Sequence, residues 1–299
     1  MVPGSSGVED GSTNPRPMRP LRRRRPILLT ALVLAVALTA VACSGGSEGA
    51  APTTTTEAPS TTTTLPPSTT TTITPDPARK VLLLGDSTMV DASPAVTAML
   101  KATGAKVAMG AGPGFGLTRL GVSDNPPTWD VDYPRILREE KPDLIIVMLG
   151  IWDQFYIENN GILAYARVVQ KATDILLSQG AKVVYMAIPP GGKHPDRVQN
   201  GAFEAMAAMY PGQVFYIEYE GVLRGPAGDY PMTLPAADGS TLHLRKADAW
   251  HFCPDGAQRV AEELDRLGVV HGLIVPAAAG WQSGSWRSSQ YYQEPACFA

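Results

Sequence analysis

The 299-residue sequence has little cysteine and little histidine: three Cys and four His. No H-E-x-x-H spacing occurs and the histidines are scattered, which argues against a metal site. Positive charge is not in excess, with 25 Lys and Arg against 28 Asp and Glu. A nucleic-acid binder carries a strongly basic face, so that class is disfavoured. A dinucleotide fingerprint is missing too. Gly110 and Gly112 would need a glycine at 115, where Phe115 stands, and no cofactor is expected. The charge-free apolar run Ile27–Ala42 covers only 16 residues, short of the roughly 20 that a permanent spanning helix needs. Internal repeats are absent. With 44% hydrophobic and 18% charged residues the chain can still fill a sizeable core.

What is present begins with an export signal. Arg16, Arg19 and Arg22 to Arg25 precede the apolar run, and small residues follow it. This is the pattern of a signal peptide over residues 1–42, with Met1 or Met18 as the start. The run ends in Ala40-Val41-Ala42-Cys43, which resembles a bacterial lipobox, with Ala40 where Leu is preferred. That resemblance implies diacylation of Cys43, and two chains suffice for stable membrane attachment. The alternative is a plain secretory signal with an unmodified Cys43. Without residues 1–42, 19 basic and 26 acidic residues remain. Such a surface is not drawn to anionic lipid, so the lipid must do the anchoring. The expected location is therefore exported, at the extracellular face of the cell membrane.

Residues 43–78 read as a disordered linker. Threonine runs at 53–56, 61–64 and 69–72 alternate with prolines, without apolar periodicity. At about 3.1 Å per residue such a tether spans on the order of 100 Å when extended.

From residue 79 strands and helices alternate. Apolar strands are expected at 80–84, 105–109, 143–149, 181–188 and 214–219, and helices at 94–103, 162–178, 197–209 and 254–267. Continuous rather than alternating apolar strands between helices indicate a parallel sheet covered on both faces. Such sheets place ligands at the carboxyl ends of their strands.

Gly85-Asp86-Ser87 stands at the end of the first strand, and Asp248-Ala249-Trp250-His251 precedes the last helix. Each is weak alone; together, in this order, they resemble the SGNH (GDSL-type) hydrolase family over residues 79–270. The resemblance implies a three-layer α/β/α, doubly wound, mostly parallel five-stranded sheet, flavodoxin-like, for a domain at 79–299. It implies Ser87 as nucleophile, His251 as base and Asp248 as the acid that orients it. The residue types suit the chemistry, since a serine hydroxyl needs an adjacent base. Imidazole titrates in the right range, and a carboxylate fixes its tautomer. His194, His243 and His271 are expected to be surface or core residues.

The family builds its oxyanion hole from the serine amide, a glycine amide after the second strand, and an Asn in a G-x-N-D block. Ser87 and Gly114 match the first two, with Gly112 and Gly116 as alternatives. The third block departs, reading Gly150-Ile151-Trp152-Asp153-Gln154 with Trp152 in place of Asn. An indole donates one hydrogen bond and accepts none, so Trp152 serves as substitute donor or as an aromatic wall; Gln154 is another donor. Variants of this block occur in relatives linked to glycan O-acylation.

The expected function is a cell-surface serine esterase or acyltransferase acting on small acyl esters, with O-acetyl groups of cell-envelope glycans as a candidate substrate. The competing reading is a catalytically silent glycan-binding lipoprotein that kept the fold. A monomer is expected. Lipidation of Cys43 leaves Cys253 and Cys297, and export favours oxidation, so these two are expected to pair and staple the C-terminal tail beside His251. Two buried free thiols are the alternative.

Overall fold

The computed structural model describes residues 77–118, 128–189, 191, 197–293 and 297. The signal peptide, Cys43, nearly all of the linker and His194 lie outside the described residues.

The strands are β1 (Lys80–Gly85), β2 (Lys106–Ala111), β3 (Leu144–Met148), β4 (Lys182–Met186) and β5 (Val214–Ile217). They form one sheet in the order β2-β1-β3-β4-β5, with every neighbouring pair parallel. This is the flavodoxin-like doubly wound order, whose ligand crevice opens at the carboxyl end beside β1 and β3. The expected three-layer α/β fold is the one found.

Alternate residues of each strand feed two cores. Val81 and Leu83 pack with α1 (Ser87–Ala102) and α7 (Pro254–Val270), together with Trp281 and Tyr292 of the tail. Leu82 and Leu84 pack toward α2 (Trp129–Glu140), α4 (Ile162–Leu177) and α5 (Val198–Met209). β1, β3 and β4 are therefore dry on both faces, which is why they read as unbroken apolar runs, whereas the edge strand β2 is only half-buried. Two short helices, α3 (Gln154–Asn160) and α6 (Glu220–Leu223), and an antiparallel pair, β6 (Thr233–Pro235) and β7 (Thr241–His243), complete the domain. Ala78 already pairs with the domain, its amide donating to Leu273 O at 2.9 Å.

Besides the short elements α3, α6, β6 and β7, three parts of the chain differ from expectation. The first helix begins at Ser87 rather than 94, with Pro94 inside it. Proline cannot donate to the carbonyl of Val90; the Ser93 hydroxyl does so instead, at 2.8 Å. Helix α2 was not expected, since charged residues and Pro134 obscure the face formed by Tyr133 and Leu137. The tail folds as 3-10 turns at Trp281–Ser283, Ser285–Ser288 and Gln290–Tyr292.

Candidate active site

Ser87 is the first residue of α1, delivered by the turn that ends β1. Gly85 makes that turn: its φ is +156°, and a Cβ there would meet Met148 O at 2.0 Å, so only glycine lets β1 and β3 approach so closely. Asp86 caps the helix, its Oδ1 accepting from the Thr88 amide at 2.8 Å and the Thr88 hydroxyl at 2.6 Å. Asp86 is fully buried and its Oδ2 has no partner among the described residues. Burial raises its pKa to about 6 against those two hydrogen bonds.

His251 arrives on a tight turn between β7 and α7. The Lys246 amide donates to His251 O and the Ala249 amide to Lys246 O, both at 2.9 Å. Asp248 Oδ1 accepts from the amides of Trp250 and His251 at 2.9 and 3.1 Å. Its Oδ2 lies 2.5 Å from His251 Nδ1. Partial burial pushes the Asp248 carboxyl up, but the His251 ring and the two amides outweigh it and hold the acid far below its usual range. The same contact raises the His251 pKa, and desolvation opposes it. Nδ1 thus faces the carboxylate, which leaves Nε2 as the nitrogen for proton transfer.

Ser87, Asp248 and His251 line one cavity of about 720 Å³ at the carboxyl edge of the sheet. The hydrogen-bonded chain that these three roles call for is present in part. His251 meets Asp248, whereas no Ser87–His251 hydrogen bond is present among the described residues. Such bonds often tighten only when substrate binds.

The loop after β2 supplies Ala111 and Pro113 to the cavity wall. Gly112 donates its amide to Gly85 O at 3.0 Å, which engages it inside the fold. Gly116 lies under the Asp153 carboxylate, 2.8 Å from Oδ1 to its Cβ position. Gly114 is buried, at φ +73°, in the loop between them. Trp152 is 36% exposed and lines a different hollow of about 410 Å³ with Thr118, Phe155, Tyr156, Asn159 and Asn160. The Gln154 side chain is engaged elsewhere, donating to Glu158 and accepting from Gln199. Of the histidines, His243 is half-buried in β7 and His271 is exposed against Phe215.

Sequence reasoning missed several residues that shape this site. Asp153 is buried and accepts from the Leu117 amide at 3.2 Å, the Thr118 amide at 2.7 Å, the Thr118 hydroxyl at 2.5 Å and the Tyr165 hydroxyl at 3.0 Å. It therefore ties the loop after β2 to the end of β3. Asp91 and Lys246 form an ion pair at 2.8 Å, and both line the cavity. Gln290 and Tyr291 of the tail also line it. The tail is fixed by the Cys253–Cys297 disulfide, as expected. Arg287 also grips α7 through Asp255 and through Gln258 at 2.6 Å. Apart from the disulfide, no helix or strand pattern shows these pairings. The one usable signal was that Asp91 stands four residues after Ser87, on the same helix face. Among the described residues no group of three or more His, Cys, Asp or Glu is placed to hold a metal ion.

Residues 80–266 match the model of the family described as "Protein of unknown function (DUF459)". The chain belongs to that family. The DUF459 match runs from β1 through most of α7 and contains Ser87, Asp248 and His251. No curated protein sequence matches the chain. Among solved structures, the DUF459 domain is similar to a carbohydrate acetylesterase from Sinorhizobium meliloti, at 15% identity and TM-score 0.46, covering 64% of this chain and 99% of that one. It is similar to a putative lipolytic protein of the G-D-S-L family from Desulfitobacterium hafniense, at 12% identity and TM-score 0.46, covering 63% and 99%. A family 3 carbohydrate esterase from Clostridium thermocellum is also similar, at 12% identity and TM-score 0.44, covering 64% and 96%.

Proposed function

We propose that the protein is a serine esterase or acyltransferase for small acyl esters, held at the outer face of the cell membrane through Cys43. The observation that carries the reading is the Asp248–His251 contact of 2.5 Å opening, with Ser87, onto one cavity. In this reading His251 Nε2 takes the Ser87 proton as Oγ attacks the ester carbonyl. The Ser87–acyl bond forms, the carbonyl π pair moves to oxygen, and the tetrahedral oxyanion collapses with loss of the alcohol. His251 returns the proton to that alcohol. Water or a second alcohol then releases the acyl group by the same steps. Asp248 holds the ring and stabilises the imidazolium.

The amides of Ser87 and Gly114 are the oxyanion donors in this account. The engagement of Gly112 with Gly85 supports Gly114 over its neighbour. The place of Trp152 in the second hollow supports its role as an aromatic wall rather than as a donor. Cell-envelope glycans carrying O-acetyl groups are the substrate class we favour. Release of p-nitrophenol from p-nitrophenyl acetate by wild type and not by Ser87→Ala tests the reading. Equal, background rates for the two would leave the silent glycan-binding alternative. Detergent partitioning of wild type against Cys43→Ser tests the anchor, with only the wild type expected in the detergent phase.

A further inference from the structure

We propose that Asp91 and Lys246 form a hydroxyl-reading subsite that selects a neutral, polyhydroxylated alcohol, a sugar ring, as the alcohol half of the ester. The proposal rests on the esterase or acyltransferase reading above. Asp91 lies one helical turn after Ser87 on α1, so its side chain stands beside the nucleophile. Lys246 Nζ is 2.8 Å from Asp91 Oδ2, with side-chain exposures of 13% and 6%. Both nevertheless line the cavity that holds Ser87 and His251. An ammonium has three donors and a carboxylate about four acceptor positions, so one mutual contact leaves groups of both kinds to spare. A donor and an acceptor fixed side by side complement neighbouring hydroxyls, each of which donates and accepts.

Charge narrows the ligand further. The Asp91–Lys246 pair is neutral overall, and with Asp248 ionised and His251 neutral the cavity carries one net negative charge. An anionic alcohol is repelled there, and a cationic one without hydroxyls meets the Lys246 ammonium beside Asp91 and leaves the hydrogen-bonding groups of the pair unmatched. A long acyl chain is also a poor occupant. It would strip water from the ion pair without supplying hydrogen bonds, and only Val90, Ala111 and Pro113 offer small apolar contacts. Gln290 presents an amide. Tyr291, 40% exposed, adds an aromatic ring of the kind that the C–H surface of a sugar stacks on. A volume of about 720 Å³ accommodates a short acyl group and a sugar ring together.

Acetate release is measured from p-nitrophenyl acetate, acetylcholine and methyl 6-O-acetyl-glucopyranoside. The proteins are wild type, Lys246→Met and the double variant Asp91→Asn with Lys246→Met. The double variant leaves no unpaired buried charge, and thermal melting checks that each is folded. The wild type is expected to prefer the sugar ester to acetylcholine in kcat/KM. Both variants are expected to lose about tenfold or more on the sugar ester relative to the aryl ester. Equal losses on the two esters, or a wild-type preference for acetylcholine, would overturn the subsite and leave the esterase reading standing. Release from none of the three esters by the wild type would overturn both.

Discussion

Arg245 Nη1 donates to Ala249 O at 3.0 Å, and Ala249 is a non-glycine residue at φ +62° two positions before His251. The guanidinium is buried, with its carbon 5.6 Å from the Tyr230 ring centre, and burial lowers its pKa. A left-handed alanine costs on the order of 1 kcal/mol, so this turn needs an external clamp. In the proposed reaction Arg245 acts as a positioning residue for the Asp248–His251 pair. Arg245→Met is expected to lower kcat about tenfold with little change in KM. It should also move the acid limb of the pH profile downward as the Asp248 contact loosens. An unmoved limb would mean that Arg245 only supports the fold.

The pH dependence follows from His251. In the proposed reaction His251 must be neutral to accept the Ser87 proton, and the Asp248 contact raises its pKa above the ordinary 6.5. Activity is therefore expected to fall as pH drops through a value above 6.5, and the Asp248→Asn variant should shift that limb down. Initial rates between pH 5 and 9 read it directly.

Asp86 makes the opposite kind of prediction, about stability. Its pKa is 3.8 in the reference state and about 6 in the fold. The folded chain then binds more protons than the unfolded chain between about pH 4 and 6, so this group's contribution to stability falls as pH rises through that window. The difference is on the order of 3 kcal/mol. Asp86→Asn cannot ionise and keeps an acceptor for Thr88. Urea unfolding should show wild type gaining stability relative to this variant as pH is lowered from 7 to 4. A gap that stays constant with pH would contradict the assignment.

The Cys253–Cys297 bond closes a long loop, with a sequence separation of 44. Such a crosslink contributes roughly 2–4 kcal/mol. Cys297→Ser is expected to lower the melting temperature and, by freeing Gln290 and Tyr291, to raise KM more than it lowers kcat. Unreduced wild type should have no alkylatable thiol among these two.

The sheet was legible because its central strands are dry on both faces, so the apolar runs Val81 to Leu84 and Leu144 to Leu149 stand out unbroken. The catalytic candidates were legible because each sits at an element boundary in a short motif. Pro94 misled the reading of α1, since proline is favoured at a helix start, and a helix begun at 94 leaves Asp91 outside it. Lys246 and Arg245 were not legible at all. Their partners, Asp91 and Ala249, are chosen by the path of the chain over the sheet and not by spacing. Asp153 was passed over for the same reason, because the amides it binds lie in a loop more than thirty residues away.

The central claim is that Ser87 is a nucleophile activated by His251. Labelling of the intact protein with a fluorophosphonate, followed by peptide mass mapping, tests it most directly. The account expects a single adduct on Ser87 in the wild type, greatly slowed in His251→Ala. An unlabelled wild type, or an adduct on another serine, would contradict it.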